Sequence, residues 1–341
     1  MKTTETILIA TRGSALALAQ SNMILAKCRA AFPDQAFDLK IIKTTGDKLQ
    51  TASLAKTQEA ESLPKGLFTK ELEVALLDKS ADFAVHSLKD LPTELPTGLK
   101  LGAVGGKREN VRDVLLYPDA NVVESSKFQV PSSKPEQGRG FNPGLAIKDL
   151  PAGAVVATSS TRRKAQLLAQ NPGLKTPDIR GNVLTRMQKL MDNPELDATV
   201  LALAGISRLG YRITPDGKIQ GPDVPPGLLA TILEPEVMLP CVGQGAIGIE
   251  IREHDTRIAA ICEKLNDFHT LQCVIAERAF LSGMGGGCQS PVGAYAEVIG
   301  DQIRMRVVSF MGETVRRAEA QGAIQEPAKL GRQLADEIRG N

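Results

Sequence analysis

Arginines follow apolar stretches at several points of the sequence, where a strand would give way to a turn or a helix. The six at such positions are Arg12, Arg162, Arg163, Arg180, Arg186 and Arg208. Guanidinium groups bind carboxylates through paired hydrogen bonds, and the N–H groups at a helix start attract anions as well. Any one of these arginines could equally be a solvated surface residue. The set as a whole indicates a ligand with several anionic groups.

One carboxylate and one thiol also stand where chemistry is favoured. Asp90 follows Ser87 and Lys89 at the end of an apolar run that predicts a buried strand. As a structural residue it would cap a turn, whereas as a functional one it would carry a proton or stabilise positive charge. Cys288 follows three glycines, so we expect its thiol on a turn that a ligand can approach closely.

The other histidine and cysteine candidates are expected to be structural. We interpret His86 as a hydrogen-bonded strand residue. The five cysteines never form a CxxC pair and the three histidines never form HExxH, so no metal site is predicted. The cysteines other than Cys288 are predicted to be packing residues: Cys28, Cys241, Cys262 and Cys273.

Composition excludes several classes of protein. A net charge of +2 and an aromatic content of 4% without tryptophan disfavour nucleic-acid binding. No apolar run approaches the roughly 20 residues that span a bilayer. The first strand-like run begins within a few residues of Met1 and leaves no space for a signal peptide, and the odd number of cysteines fits a reducing compartment, so we expect a cytoplasmic protein.

The pattern of elements indicates an α/β protein of two or three domains, since 341 residues exceed one domain of about 150. The segments ATRGSALALAQ and ATSSTRRKAQ repeat one design, a strand followed by a polar turn and a helix, and two such turns could face one cleft. Strands are predicted over 7–10, 39–42, 82–86, 154–157 and 199–203. Helices are predicted from 15 to 31, with Ser14 as the N-cap, from 66 to 78, from 183 to 190 and from 327 onward. The segments 118–148 and 222–240 are predicted to be irregular, the first without core residues.

Eight motifs between residues 9 and 295 together resemble the porphobilinogen deaminase family, also called hydroxymethylbilane synthases. In chain order they are IATRGSALALAQ, KGLFTKELEVALL, AVHSLKDLPTELP, ATSSTRRKAQLL, DIRGNVLTR, LALAGISRLG, LPCVGQGAIGIE and AERAFLSGMGGGCQSPVGAY. Their number and order make a chance similarity implausible.

The resemblance implies a fold of two hinged α/β domains, like those of type II periplasmic binding proteins, and a small C-terminal α+β domain. The implied boundaries are 1–108 with 243–265, then 109–242 with an insertion at about 118–148, and finally 266–341. The implied activity is a transferase that deaminates four porphobilinogen molecules and joins them head to tail on a covalent dipyrromethane cofactor, releasing hydroxymethylbilane by hydrolysis. A monomer without nucleic-acid or membrane partners is implied as well.

The resemblance also assigns roles to particular residues, and Cys288 is the residue that would hold the cofactor through a thioether. The implied catalytic residues are Asp90, Arg12 and Lys89. The implied cofactor-binding residues are Cys288, Lys89, Asp90, Ser160, Arg162, Arg163 and Arg186. The implied substrate-binding residues are Arg12, Ser14, Ser87, Phe68, Arg180 and Arg208.

One alternative from another class is a non-enzymatic protein that binds a polycarboxylate in a two-domain cleft. Such a protein would need the arginines but neither the Asp90 carboxylate nor the Cys288 thiol. Those two residues therefore discriminate between the two hypotheses.

Overall fold

The computed structural model describes residues 5–45, 69–125, 140–287 and 289–340. The strands of these residues are β1 Ile7–Arg12, β2 Phe37–Ile42, β3 Phe83–Ser87, β4 Leu99–Val104, β5 Asp113–Pro118, β6 Val156–Ala157, β7 Ala198–Ala202, β8 Arg212–Ile213, β9 Ile219–Gln220, β10 Leu228–Leu233, β11 Ile247–Arg252, β12 Val292–Ile299, β13 Gln302–Ser309 and β14 Arg316–Ala323. The α-helices are α1 Ala15–Ala31, α2 Lys70–Leu77, α3 Ala120–Ser125, α4 Thr161–Gln170, α5 Val183–Asp192, α6 Leu203–Arg208, α7 Thr256–Leu265, α8 Phe268–Gly283 and α9 Pro327–Arg339. Two short 3-10 helices span Leu88–Asp90 and Ile147–Asp149.

The first sheet has the strand order β2-β1-β3-β11-β4. β1, β2 and β3 are parallel, whereas β11 runs antiparallel to both of its neighbours. Its strands are apolar on both faces, because α1 and α7 pack on one face and α2 packs on the other. The carboxyl ends of β1 and β3 meet at one edge, the place where ligands bind in open α/β sheets.

The second sheet has the strand order β10-β5-β7-β6, with β6 parallel to β7 and β5 antiparallel to both of its neighbours. Helices α5 and α6 cover one face through Met187, Leu190 and Ile206. Helix α4 covers the other face through Leu167, together with Ile147. The sheet therefore also has helices on both faces.

Two crossovers connect these sheets: the outgoing crossover at 105–112 and the return crossover at 234–246. Arg108 of the outgoing crossover donates to both carboxylate oxygens of Glu277 in α8, at 2.6 and 2.9 Å, and its Nε donates to the Gln244 carbonyl at 2.8 Å. Glu277 also accepts the Gly243 N–H at 2.8 Å. This buried ion pair fastens both crossovers to α8.

The third sheet, β12-β13-β14, is antiparallel and packs against α8 and α9. The two helices approach very closely at Gly331, where a Cβ atom would lie 2.1 Å from the Ala276 carbonyl oxygen. The protein thus has two α/β units, joined by two crossovers, and a C-terminal α+β unit. This is the fold class expected from the sequence. None of the helices in the described ranges is long and apolar enough to cross a membrane.

Several element predictions are confirmed. Helix α1 ends at Ala31 and has Ser14 as its N-cap, α5 begins at Val183, and α9 begins at Pro327. The helix predicted at 66–78 begins at Lys70 in the described part of the chain, where Thr69 precedes it. Residues 66–68 lie outside the described residues. The strand predicted at 154–157 is shorter in the structure, where it comprises only the two residues of β6.

The predictions that 118–148 has no core residues and that 222–240 is irregular are wrong, and residues 126–139 lie outside the described residues. In 118–148, Leu145 and Ile147 are buried, and the Tyr117 hydroxyl accepts the N–H groups of Gly144 and Leu145. In 222–240, β10 forms an edge of the second sheet. Both segments bury isolated apolar residues among prolines and glycines, which hide the regular spacing that sequence patterns detect.

Candidate active site

The Asp90 carboxylate stands on the 3-10 helix that directly follows β3. Leu88 and Leu91 are buried, and the Leu88 N–H donates to the Ala246 carbonyl at 3.1 Å. Because the two leucines face the core, Lys89 is only partly buried and Asp90 is exposed. We call residues 87–91 the Asp90 turn. It presents both charged groups at the edge of the first sheet.

A cavity of about 70 Å³ lies between the Asp90 turn and the start of α1. Ser14 caps α1, since its Oγ accepts the Ala17 N–H at 3.3 Å. Ser87 Oγ donates to Gln20 Oε1 at 3.0 Å and so connects the turn to α1. The cavity brings together four of the predicted site residues: Arg12, Ser14, Ser87 and Asp90.

Cationic side chains of the second sheet's helices approach the same turn. Lys89 interacts electrostatically with Asp90 and Arg163, and Arg186 interacts with the same two residues. Burial lowers the pKa of Lys89, opposed by Asp90 and reinforced by Arg163. Burial and the Arg163 charge lower the pKa of Arg186 to about 10. Positive charges that are both desolvated and mutually repelled favour a bound anion.

Arg162 and Arg163 share a buried partner that sequence reasoning missed. Asp113, the first residue of β5 and 0% exposed, accepts a hydrogen bond from Nη2 of each arginine at 2.8 Å. Nη1 of Arg162 donates to the Leu239 carbonyl at 2.7 Å, and Nη1 of Arg163 donates to the Val200 carbonyl at 2.8 Å. Burial alone would raise the pKa of Asp113, but the two guanidinium groups hold it well below its usual range. Nothing in the sequence around Asp113 signals this partnership.

The two arginines keep part of their hydrogen-bonding capacity. In the described part of the chain, Nε of Arg162 and Nε of Arg163 are buried and have no hydrogen-bond acceptor. Ser160 is the N-cap of α4, and its Oγ accepts the Arg163 N–H at 3.4 Å. The start of α4 therefore holds unused donors beside the Asp90 turn.

The structure places Arg180 and Arg208 apart from the 70 Å³ cavity, whose lining includes neither of them. Arg208 donates to the Gly245 carbonyl at 2.7 Å, so it lies against the return crossover. Burial lowers its pKa and the nearby Glu109 opposes that change. Arg180 precedes α5, and its carbonyl accepts the Lys189 ammonium at 3.0 Å. The predicted residues Phe68 and Cys288 lie outside the described residues.

Cys241 is not simply the packing residue that the sequence predicted. It lies in the return crossover, is only partly buried, and has Arg162, Lys89 and Asp90 as electrostatic neighbours. The prediction is confirmed for the three other described cysteines, whose burial raises the pKa of each thiol to about 12: Cys28, Cys262 and Cys273. A thiol beside the site was missed because Cys241 stands in an apolar sequence context.

Two family models match nearly the whole chain. The one described as "Porphobilinogen deaminase, dipyromethane cofactor binding domain" matches residues 7–260, and "Porphobilinogen deaminase, C-terminal domain" matches residues 271–340. This chain belongs to the porphobilinogen deaminase family. Among its relatives, the porphobilinogen deaminases of Maridesulfovibrio salexigens and Carboxydothermus hydrogenoformans are 42% and 40% identical, covering 97% of this chain and 94% and 93% of their own lengths. The Thermus thermophilus porphobilinogen deaminase is 39% identical over 97% of this chain and 95% of its own length.

We call Lys89, Arg162, Arg163 and Arg186 the cationic cluster, and these residues fit the dipyrromethane cofactor of the family. The cofactor consists of two substrate units and carries acetate and propionate side chains, so it presents several carboxylates. The buried Nε donors of Arg162 and Arg163 lack acceptors in the described chain, and Lys89 and Arg186 add positive charge beside them. The carboxylates of Asp90 and Asp113 interact electrostatically with Lys89 and partly offset this positive charge. The cluster therefore has both the charge and the unused donors that a polycarboxylate requires.

Proposed function

We propose that this chain is a hydroxymethylbilane synthase, which deaminates four porphobilinogen molecules and joins them head to tail on a dipyrromethane cofactor. Hydrolysis then releases the linear hydroxymethylbilane. The observation that carries the proposal is the placement of one exposed carboxylate, Asp90, beside a cationic cluster at the end of β3. A protein that only bound a polycarboxylate would gain nothing from a carboxylate at that position, since it would repel the ligand.

Asp90 acts on the reacting pyrrole in this proposal. Its carboxylate accepts hydrogen bonds from pyrrole N–H groups and stabilises the positive charge that develops as ammonia leaves. Ammonia leaves from the protonated aminomethyl group and takes the electron pair of the broken carbon–nitrogen bond. After the new carbon–carbon bond forms, the Asp90 carboxylate accepts the proton released from the pyrrole carbon and passes it to solvent. Asp90 is exposed at the end of β3, where a bound ring can reach its carboxylate. Arg12 and Lys89 flank Asp90 and complete the proposed catalytic set.

The other polar residues hold carboxylates. For the cofactor we propose Lys89, Ser160, Arg162, Arg163 and Arg186, and for the incoming or displaced rings we propose Arg12, Ser14, Ser87, Phe68, Arg180 and Arg208. The electrostatic interactions of Lys89 and Arg186 with Asp90 support the first set, and the shared cavity supports Arg12, Ser14 and Ser87 in the second. Arg208, which lies against the return crossover, would meet a chain that grows toward it.

Cys288 is the proposed attachment point, where a thioether holds the cofactor. When bound, the cofactor supplies the pyrrole carbon to which the first substrate unit is joined. The Thr161 hydroxyl, at the start of α4, donates to the carbonyl of Gln289 at 2.6 Å. Gln289 follows Cys288 in the sequence, which supports an attachment point next to the start of α4.

We further propose the domain division 1–108 with 243–265, 109–242 and 266–341, because each sheet and its covering helices falls largely within one of these spans. We also propose that the protein works in the cytoplasm as a monomer without nucleic-acid or membrane partners. The odd number of widely spaced cysteines and the net charge of +2 support this part. Sedimentation of the holoenzyme would check its monomeric state.

The intact mass of the denatured protein tests the function. We expect the parent to carry the mass of two pyrrole units and a Cys288→Ser variant to carry none. Cys241→Ser is the matched control, because it removes a partly buried thiol that lies beside the site, and it should retain both units. A parent that stays unmodified after incubation with porphobilinogen would refute the proposal.

A further inference from the structure

Arg278 of α8 holds the backbone that leaves the Asp90 turn. Its Nη1 donates to the Leu91 carbonyl at 3.0 Å, and its Nη2 donates to the carbonyls of Pro92 and Thr93 at 2.6 and 3.2 Å. One planar guanidinium thus engages three consecutive carbonyls. The sequence drew no attention to this arginine, because it lies inside a helical motif rather than at a strand end.

The same helix also makes an apolar contact with the Asp90 turn. Val274 lies one helical turn before Arg278, and it packs with Leu88 and Leu91 in one buried cluster. The apolar contact fixes the turn against α8 without defining its rotation about that contact. The forked hydrogen bonds of Arg278 supply that missing constraint, because a guanidinium has a fixed planar donor geometry.

The guanidinium of Arg278 also interacts electrostatically with a strand of the first sheet. Burial lowers the pKa of Arg278 to about 10, and the Glu250 carboxylate of β11 opposes that change. Glu250 is itself buried and accepts or shares a hydrogen bond with His86 Nε2 at 2.9 Å. His86 immediately precedes the Asp90 turn. Arg278 therefore interacts with both ends of the turn. It hydrogen-bonds to the carbonyls at one end, and it interacts electrostatically with Glu250, the hydrogen-bond partner of His86, at the other.

The same helix leads to the proposed cofactor attachment. Helix α8 ends at Gly283, and Cys288 follows five residues later in the sequence. The inference rests on the proposed function, in which Asp90 acts on the reacting pyrrole. Helix α8 then holds the turn that carries this carboxylate, through Arg278.

We propose that Arg278 is a positioning residue of the condensation reaction, which holds the Asp90 turn in a fixed position against α8. It touches neither substrate nor cofactor in this role. Its removal should leave porphobilinogen binding and cofactor attachment intact and should slow the chemical step. A displacement of about 1 Å between reacting groups costs on the order of 100-fold in rate.

The test compares Arg278→Gln and Arg278→Lys with a matched control, Arg252→Gln. Arg252 is also partly buried and donates to two carbonyls, those of Leu76 and Ala81, at 2.9 and 2.7 Å, but it does not contact the Asp90 turn. We expect Arg278→Gln to lower kcat by about 10- to 100-fold with KM within about twofold of the parent. Arg278→Lys should recover part of kcat, and Arg252→Gln should leave kcat near the parent value while lowering the thermal midpoint.

Intact mass provides the second readout. Each variant should retain two covalent pyrrole units, so a low kcat would not reflect missing cofactor. If Arg278→Gln fails to fold, Arg278→Lys decides, and a parental kcat in that variant overturns the inference. Equal losses of kcat in the Arg278→Gln and Arg252→Gln variants would overturn it too. A parent without turnover would instead overturn the proposed function, so the two failures are distinguishable.

Discussion

The buried carboxylate of Asp113 offers a sharp test of how the cationic cluster is held together. Replacing Asp113 with asparagine keeps the size of the side chain but removes the charge that Arg162 and Arg163 share. The amide would offer one acceptor oxygen where two guanidinium groups now donate to two. The NH2 group of the asparagine would face a guanidinium N–H group, which is also a donor. The substitution therefore leaves two adjacent buried cations with poor hydrogen bonding and no counter-charge.

The size of the effect follows from burial. Asp113 is 0% exposed and the arginines are 3% and 6% exposed, so solvent cannot replace the lost partner. Removing one member of such a buried ion pair destabilises a protein by about 3–5 kcal/mol. In a chain of this size, 1 kcal/mol corresponds to about 2 °C, so the thermal midpoint should fall by about 6–10 °C. The arginine side chains should also turn away from each other and lose their orientation toward cofactor carboxylates.

Thermal unfolding and intact mass measure the two consequences separately. The matched control is Asp216→Asn, which breaks an ion pair with Lys218 at 2.9 Å in which the aspartate is 56% exposed. Exposed pairs contribute little, so that variant should unfold at the parental temperature. We expect Asp113→Asn to unfold earlier and to be purified with less of the two-pyrrole mass. An Asp113→Asn variant with parental stability and full cofactor mass would refute the reasoning. Lower stability with full cofactor would refute the orienting role alone.

Two further predictions concern the Asp90 turn. Asp90→Asn should leave the thermal midpoint and the cofactor mass unchanged but lower kcat by at least about 100-fold, measured as porphobilinogen consumption, and near-parental turnover would contradict the assigned role. Burial lowers the pKa of Lys89, so its ammonium should lose its proton below the usual lysine range near 10.4, and kcat/KM should fall on the alkaline side as that charge is lost. Lys89→Arg should shift that alkaline limb to higher pH because a guanidinium keeps its proton, and an unchanged limb would show that another group sets it.

The sequence predicted those parts of the site that lie next to each other along the chain. Ser14 caps α1 as expected, because a hydroxyl before an apolar helical run is a strong local signal. The Asp90 turn lies at a strand end as expected, because a buried strand followed by polar residues and a proline has few other conformations. Local steric and hydrogen-bonding preferences are sufficient for both predictions.

The sequence could not predict contacts between distant segments. Asp113 is about 50 residues from the arginines it holds, and Arg278 is separated by more than 180 residues from the turn it grips. Cys241 was assigned to packing because its neighbours in the sequence are apolar, although the crossover carries it to Lys89 and Asp90. Such pairings depend on how the sheets are arranged around the crossovers, which neither spacing nor composition encodes.

The arrangement of charges across the crossovers explains why so many buried ion pairs surround one exposed carboxylate. Lys89 and Asp90 belong to the first sheet, whereas Arg162, Arg163 and Arg186 belong to helices of the second, so the cluster exists only while the two units are held together. Asp113 opens β5 at the end of the outgoing crossover, and it also accepts a hydrogen bond at 2.9 Å from Nε2 of Gln244 in the return crossover. The carboxylate that neutralises the arginines is thus fixed to both connections. Movement of the units against each other would change the distance from Asp90 to the arginines, but not the distance from the arginines to Asp113. The arginine pair and Asp113 therefore keep their mutual geometry whatever the distance between them and the Asp90 turn.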